Sequence, residues 1–134
     1  GQPIVDLEVD LVGGSFHAND SHERDFQLVA ARAVREACRL SGPVLLEPWM
    51  RLEVTVPESE LGDVLGDLSS RRARITDLEA GVGTSTVRAE VPLSRTFGYA
   101  AKLASISHGR GSFVLEPLAY EPVPGALVAE ALAG

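Results

Sequence analysis

Residues 51–68 read RLEVTVPESELGDVLGDL, and within this run the hydrophobic period changes. Leu52, Val54 and Val56 alternate with Arg51, Glu53 and Thr55, the period-two pattern of a strand with one buried face. Pro57 suits the first turn of a helix, and the positive helix end favours the acids Glu58 and Glu60 beside it. Leu61, Val64, Leu65 and Leu68 then recur at helical spacing as one apolar stripe. Downstream, alternation predicts strands over 73–80 and 84–92 joined by Gly81-Val82-Gly83, with Val87, Ala89 and Val91 facing inward. A helix is expected from near Ser94, turning Phe97, Ala100, Ala101 and Ala104 inward, and ended by Gly109 and Gly111. Ser112 to Tyr120 reads as a last strand. The order over 49–120 is therefore β-α-β-β-α-β, an α+β ferredoxin-like arrangement with two helices on one face of an antiparallel sheet. Each half is one βαβ unit.

Upstream, Val5, Leu7, Val9 and Leu11 alternate with Asp6, Glu8 and Asp10, which predicts a half-buried strand over 3–12. Gly13-Gly14-Ser15 breaks it, and Phe16-His17-Ala18-Asn19 continues as a loop. Asp20 with Glu23 reads as an N-cap and capping box. The following helix lines up Phe26, Val29, Ala30, Ala33, Val34 and Ala37, and Ser41-Gly42-Pro43 stops it. Residues 44–48 link this βα unit to the second one. The expected organisation is a partial βα unit over 1–43, a ferredoxin-like domain over 44–124 and a tail over 125–134. A short helix at Ala126–Leu132 is possible in that tail.

Composition narrows the function classes. With 45% hydrophobic and 23% charged residues in 134, the chain is too apolar for a disordered protein and near the size of one domain. It holds no apolar run long enough for a bilayer and no secretory leader, and its start without Met reads as a piece of a longer protein. The single Cys38 excludes an internal disulfide framework and fits a reducing cytoplasm. A net charge of −7 argues against generic binding of DNA or RNA, which needs a basic face for counterion release. The charge is uneven: residues 49–120 hold eight basic against nine acidic residues, and Arg71, Arg72 and Arg74 cluster. Any RNA contact must come from such a local patch.

A ferredoxin-like fold alone names no function, but the local sequence carries a resemblance. Leu45-Leu46-Glu47-Pro48 and the run Gly62 to Arg72 resemble the start and first helix of domain V of elongation factor G. Val91-Pro92-Leu93-Ser94, Phe97-Gly98-Tyr99-Ala100 and Gly109-Arg110-Gly111-Ser112-Phe113 resemble its second half, in the same order. Pro3 to Asp10, Gly14-Ser15-Phe16-His17 and Asp20-Ser21-His22-Glu23 resemble the closing strand, tip loop and helix of domain IV. The resemblance spans Gly1 to about Pro124. It implies a ribosome-binding C-terminal module of a cytoplasmic translational GTPase acting in translocation. Its partners would be ribosomal RNA and proteins, and the messenger–transfer RNA in the decoding region. GTP and Mg would belong to the parent's GTPase domain, because this chain has no Gly-x-x-x-x-Gly-Lys-Ser/Thr loop to cradle phosphates. The chain itself is expected to be no enzyme and to carry no cofactor.

Five residues are candidate contacts with the ribosome. The resemblance places His17 at the domain IV tip, where an imidazole can bond phosphates or stack on bases; a solvated loop histidine is the alternative. Arg71, Arg72 and Arg74 are either cations favoured by a helix C-terminus or bidentate donors to RNA phosphates. The family usually has Gly after the Arg pair, where Ala73 stands, which puts a left-handed helix end in doubt. Arg110 sits in a Gly-Arg-Gly turn and joins the first group only if both lie at one end of the sheet. His108 reads as a surface residue, and His17, His22, His108 and Cys38 match no common metal-ligand spacing. Glu58, Glu60 and Asp63 read as a solvated helix face. Other readings are a tetracycline-resistance or ribosomal-protection paralogue, or a ferredoxin-like domain regulated by a small ligand. The surviving Gly62–Arg72 run favours the translocase.

Overall fold

The computed structural model describes residues 2–14 and 22–133 and divides into two compact units, Gly1–Pro43 and Val44–Gly134. In the first unit, residues 2–14 form no helix or strand, with Asp6 in the left-handed region at φ 53°. The expected strand over 3–12 is thus corrected: among the described residues it has no neighbour to complete a ladder, and its apolar side chains stay exposed, Leu7 at 49% and Val9 at 62%. Alternation marks a surface suited to a sheet, while the hydrogen bonds of a sheet need a partner strand. Helix α1 (Glu23–Leu40) follows, capped by His22 and Asp25 rather than by the expected Asp20 and Glu23, since the His22 N–H donates to Asp25 Oδ2 at 3.1 Å. Asp20 itself lies outside the described residues. The apolar stripe of α1 is exposed, with Phe26 at 50% and Val29 at 66%. Gly42, at φ 68°, turns the chain out of the helix before Pro43.

The second unit is a four-stranded antiparallel sheet of order β2-β3-β1-β4. Its strands are β1 (Leu46–Pro57), β2 (Arg74–Ala80), β3 (Thr84–Pro92) and β4 (Ser112–Pro122). Helices α2 (Leu61–Ser70) and α3 (Tyr99–Ile106) follow β1 and β3 through short 3₁₀ turns, and a six-residue helix α4 (Val128–Ala133) ends the chain. The fold is the α+β ferredoxin-like arrangement. Strand β1 begins inside the stretch read as a linker, because Leu46 to Pro48 pair with the end of β4. Leu52, Val54 and Val56 of β1 and Val87, Ala89 and Val91 of β3 are at most 2% exposed, and they pack with Val64 and Leu68 of α2. Burial of each large aliphatic side chain contributes roughly 1.5–3 kcal/mol.

The phase of α3 differs from the expected one. Tyr99 and Leu103 are buried, whereas Phe97 is 74% exposed and Ala100, Ala101 and Ala104 lie outside the core. Gly98 explains this, since its φ of 73° interrupts the run from Ser94, leaving a 3₁₀ turn over 93–95 and restarting the helix at Tyr99. On the sheet face away from the helices, Arg88 joins Glu53 at 2.8 Å, Asp77 at 2.7 Å and Glu79 at 3.3 Å. These bonds, Glu53's first, raise the Arg88 pKa.

Candidate functional site

Three of the expected arginines gather where α2 ends beside the start of β1. Helix α2 closes as a Schellman motif: the Ala73 N–H donates to Leu68 O at 3.1 Å and the Arg72 N–H to Ser69 O at 3.3 Å. The left-handed residue this motif needs is Arg72 itself, at φ 63°, so the doubt attached to Ala73 is resolved one position earlier. A side chain there strains the backbone by about 1–2 kcal/mol, which neighbouring contacts must offset.

Those contacts are specific. Arg72 donates through both terminal nitrogens to Glu47, at 2.7 and 3.3 Å. Glu47 is only 8% exposed, so the fork supplies its counter-charge. Arg71 donates from Nε to Asp67 Oδ2 at 2.7 Å and from Nη1 to the Arg95 carbonyl at 2.7 Å, with its guanidinium 5.1 Å from the Tyr99 ring centre. It therefore ties the end of α2 to the 93–98 turn. Arg74 lies 3.8 Å over the Trp49 ring and bonds Glu121 at 2.6 Å, with Glu90 at 3.5 Å. The Glu121 bond is the largest of the causes that raise the Arg74 pKa. Arg95, in the adjoining turn, bonds Glu130 of α4 at 3.0 Å.

Arg110 lies elsewhere. Its turn leads into Ser112, which pairs with Thr55, eight residues along β1 from Glu47 and roughly 26 Å away by strand rise. There it pairs with Glu60 and its Nε bonds the Ser107 carbonyl at 3.3 Å. The two arginine groups thus occupy opposite ends of the sheet. Glu60, grouped with Glu58 and Asp63 as a solvated face, is instead the acid that holds Arg110, with its side chain 14% exposed. His108 is exposed at φ 51° and His17 lies outside the described residues. Beneath the turn, Ser107 Oγ accepts from the Gly111 N–H and donates to Leu103 O, and Gly111 has no room for a Cβ.

The partners Glu47, Asp67, Arg95, Glu121 and Glu130 were not singled out from sequence. One signal existed: Asp67 stands four residues before Arg71, the favourable order for a helical ion pair. The others join residues far apart in the chain and need the sheet register. Among the described residues no group of three or more His, Cys, Asp or Glu gathers as a metal site, and no helix is long and apolar enough to cross a membrane.

Topology and helix placement together define a ferredoxin-like α+β domain, preceded by a second compact unit. The model for the elongation factor G C-terminus matches residues 44–131, and the model for elongation factor G domain IV matches residues 1–42. The chain belongs to the elongation factor G family and carries its C-terminal region. A crystal structure of a Thermus thermophilus protein is similar, with 40% identity and a TM-score of 0.73 over 88% of this chain. This chain covers 18% of that protein.

Proposed function

We propose that the chain is the ribosome-binding C-terminal module of a cytoplasmic translational GTPase that acts in translocation. GTP and Mg would be handled by the parent's GTPase domain. The carrying observation is the pair of family matches, domain IV over 1–42 and the C-terminal domain over 44–131, in unbroken order. Two ends of the sheet offer arginines to ribosomal RNA: Arg74, with Arg71 and Arg72 behind it, and Arg110. Arg74 and Arg110 have side chains 48% and 56% exposed, against 17% and 26% for Arg71 and Arg72. The exposed pair therefore has the freer donors for phosphate oxygens. His17 would contact the messenger–transfer RNA in the decoding region.

Co-sedimentation of the parent factor with ribosomes tests this reading. Arg110→Ala should weaken binding and lower its salt dependence, while His17→Ala should slow translocation with GTP hydrolysis retained. Unchanged binding and translocation in both variants would overturn the assignment.

A further inference from the structure

The acidic groups at the Arg71–Arg74 end do not all belong to the body of the fold. Glu47 and Asp67 sit on β1 and α2, and their side chains are 10% and 9% exposed. Glu121 is a residue of β4, opposite Glu47, and Glu130 lies on the C-terminal arm; their side chains are 34% and 63% exposed, and Glu90 of β3, also beside Arg74, is 31% exposed. The arm leaves β4 at Pro122, is held by the Val123 N–H on Leu45 O at 2.9 Å and by the buried Val123 side chain, and continues into α4. No residue of α4 is buried, and a helix of this length has little stability of its own.

We propose that two exposed acids, Glu121 at the end of β4 and Glu130 on the C-terminal arm, are intramolecular competitors for RNA phosphate, occupying Arg74 and Arg95 until the backbone of RNA displaces them. This rests on the ribosome-binding reading above. A carboxylate and a phosphate present similar paired oxygens to a guanidinium fork, so one can substitute for the other. Exposed ion pairs are weak, each worth at most about fivefold in an equilibrium constant, so a polyanion can open them. Arg74 stays oriented through the exchange because Trp49 supports its flat face. These two acids thus lower affinity for scattered anions and leave the cations ready for a surface that engages both. Glu47 and Asp67 are nearly buried and hold Arg72 and Arg71, which leaves the exchange to Arg74 and Arg95.

The test is binding of the 134-residue chain to purified large ribosomal subunits across a salt series. Glu121→Gln/Glu130→Gln should bind roughly 3- to 20-fold tighter at low salt, with a salt slope steeper by about one to two. Glu58→Gln/Glu116→Gln changes the net charge equally at exposed acids that pair with neither of these arginines, and should gain much less. In an Arg74→Ala/Arg95→Ala background the gain from neutralising Glu121 and Glu130 should vanish. Equal affinity of wild type and the Glu121/Glu130 variant, or an equal gain in the Glu58/Glu116 control, overturns the competitor while leaving ribosome binding intact. If the wild-type chain and the Glu121/Glu130 variant both fail to bind, the underlying reading falls and takes the competitor with it.

Discussion

Arg71→Ala separates a fold role from an RNA role for this arginine. The side chain makes charge-assisted bonds of 2.7 Å to Asp67 and 2.7 Å to the Arg95 carbonyl. Such bonds contribute about 1.5–3 kcal/mol each. Truncation also leaves the Asp67 carboxylate, 9% exposed, without a counter-charge. Breaking a fully buried pair costs about 3–5 kcal/mol, and this pair is only partly solvated, so the expected loss is about 3 kcal/mol. For a domain of this size, 1 kcal/mol moves Tm by about 4–8 °C, which places the variant about 15 °C lower. Thermal and urea unfolding followed by circular dichroism read the change. Arg71→Ala/Asp67→Asn should recover about 1 kcal/mol of it, because the stranded charge is gone. A loss below about 1 kcal/mol, or a double variant no better than the single one, would refute Arg71 as the tie between α2 and the 93–98 turn.

Gly111→Ala should destabilise by about 1–3 kcal/mol in urea titrations, since its Cβ would stand 2.8 Å from Ser107 Oγ and 3.0 Å from Val56 Cγ1. Arg72→Gly should be more stable than Arg72→Ala by about 1 kcal/mol, because both lose the Glu47 pair but only glycine relieves φ 63°. Equal unfolding midpoints would argue against that left-handed position. Burial raises the Tyr99 pKa to about 12, with the Asp67 charge adding to the shift and Arg71 opposing it. The folded value lies above the ordinary 10.0, so this contribution is whole below pH 10 and is lost as pH rises towards 12. Stability should fall by up to roughly 3 kcal/mol over that window in wild type and much less in Tyr99→Phe.

How far the sequence could be read depends on where each signal draws its partner. Strands β2 and β3 and their turn were legible from the chain itself, because alternation and Gly81-Val82-Gly83 are local. The buried faces of β1 and α2 were legible for the same reason. The alternation over 3–12 was as clean, yet a ladder needs a second strand and none of the described residues supplies it. The phase of α3 turned on one left-handed glycine, Gly98, that a periodicity count reads straight through. Among the arginines, residue type and clustering were visible in sequence. Their partners were not, because Glu47 meets Arg72 and Glu121 meets Arg74 only once the sheet register brings β1 and β4 together.

The two sequence readings of the arginine cluster, helix-end cation and phosphate donor, are divided by the burial of each acid. A nearly buried carboxylate releases its arginine only at a desolvation cost, so Arg71 and Arg72 are held more firmly, by Asp67 and Glu47. A solvated carboxylate returns to water at little cost, so Arg74 and Arg95 remain exchangeable, although each is paired. Glu60 is the intermediate case, since its own side chain is 14% exposed while that of Arg110 is 56% exposed. Arg110 can therefore reach a phosphate while keeping Glu60 in place, whereas Arg74 must trade one anion for another. In a chain of net charge −7, an exchange of anions at fixed guanidinium positions yields a local contact where a general attraction would fail. The firmly held arginines fix the helix end at which the proposed exchange would take place.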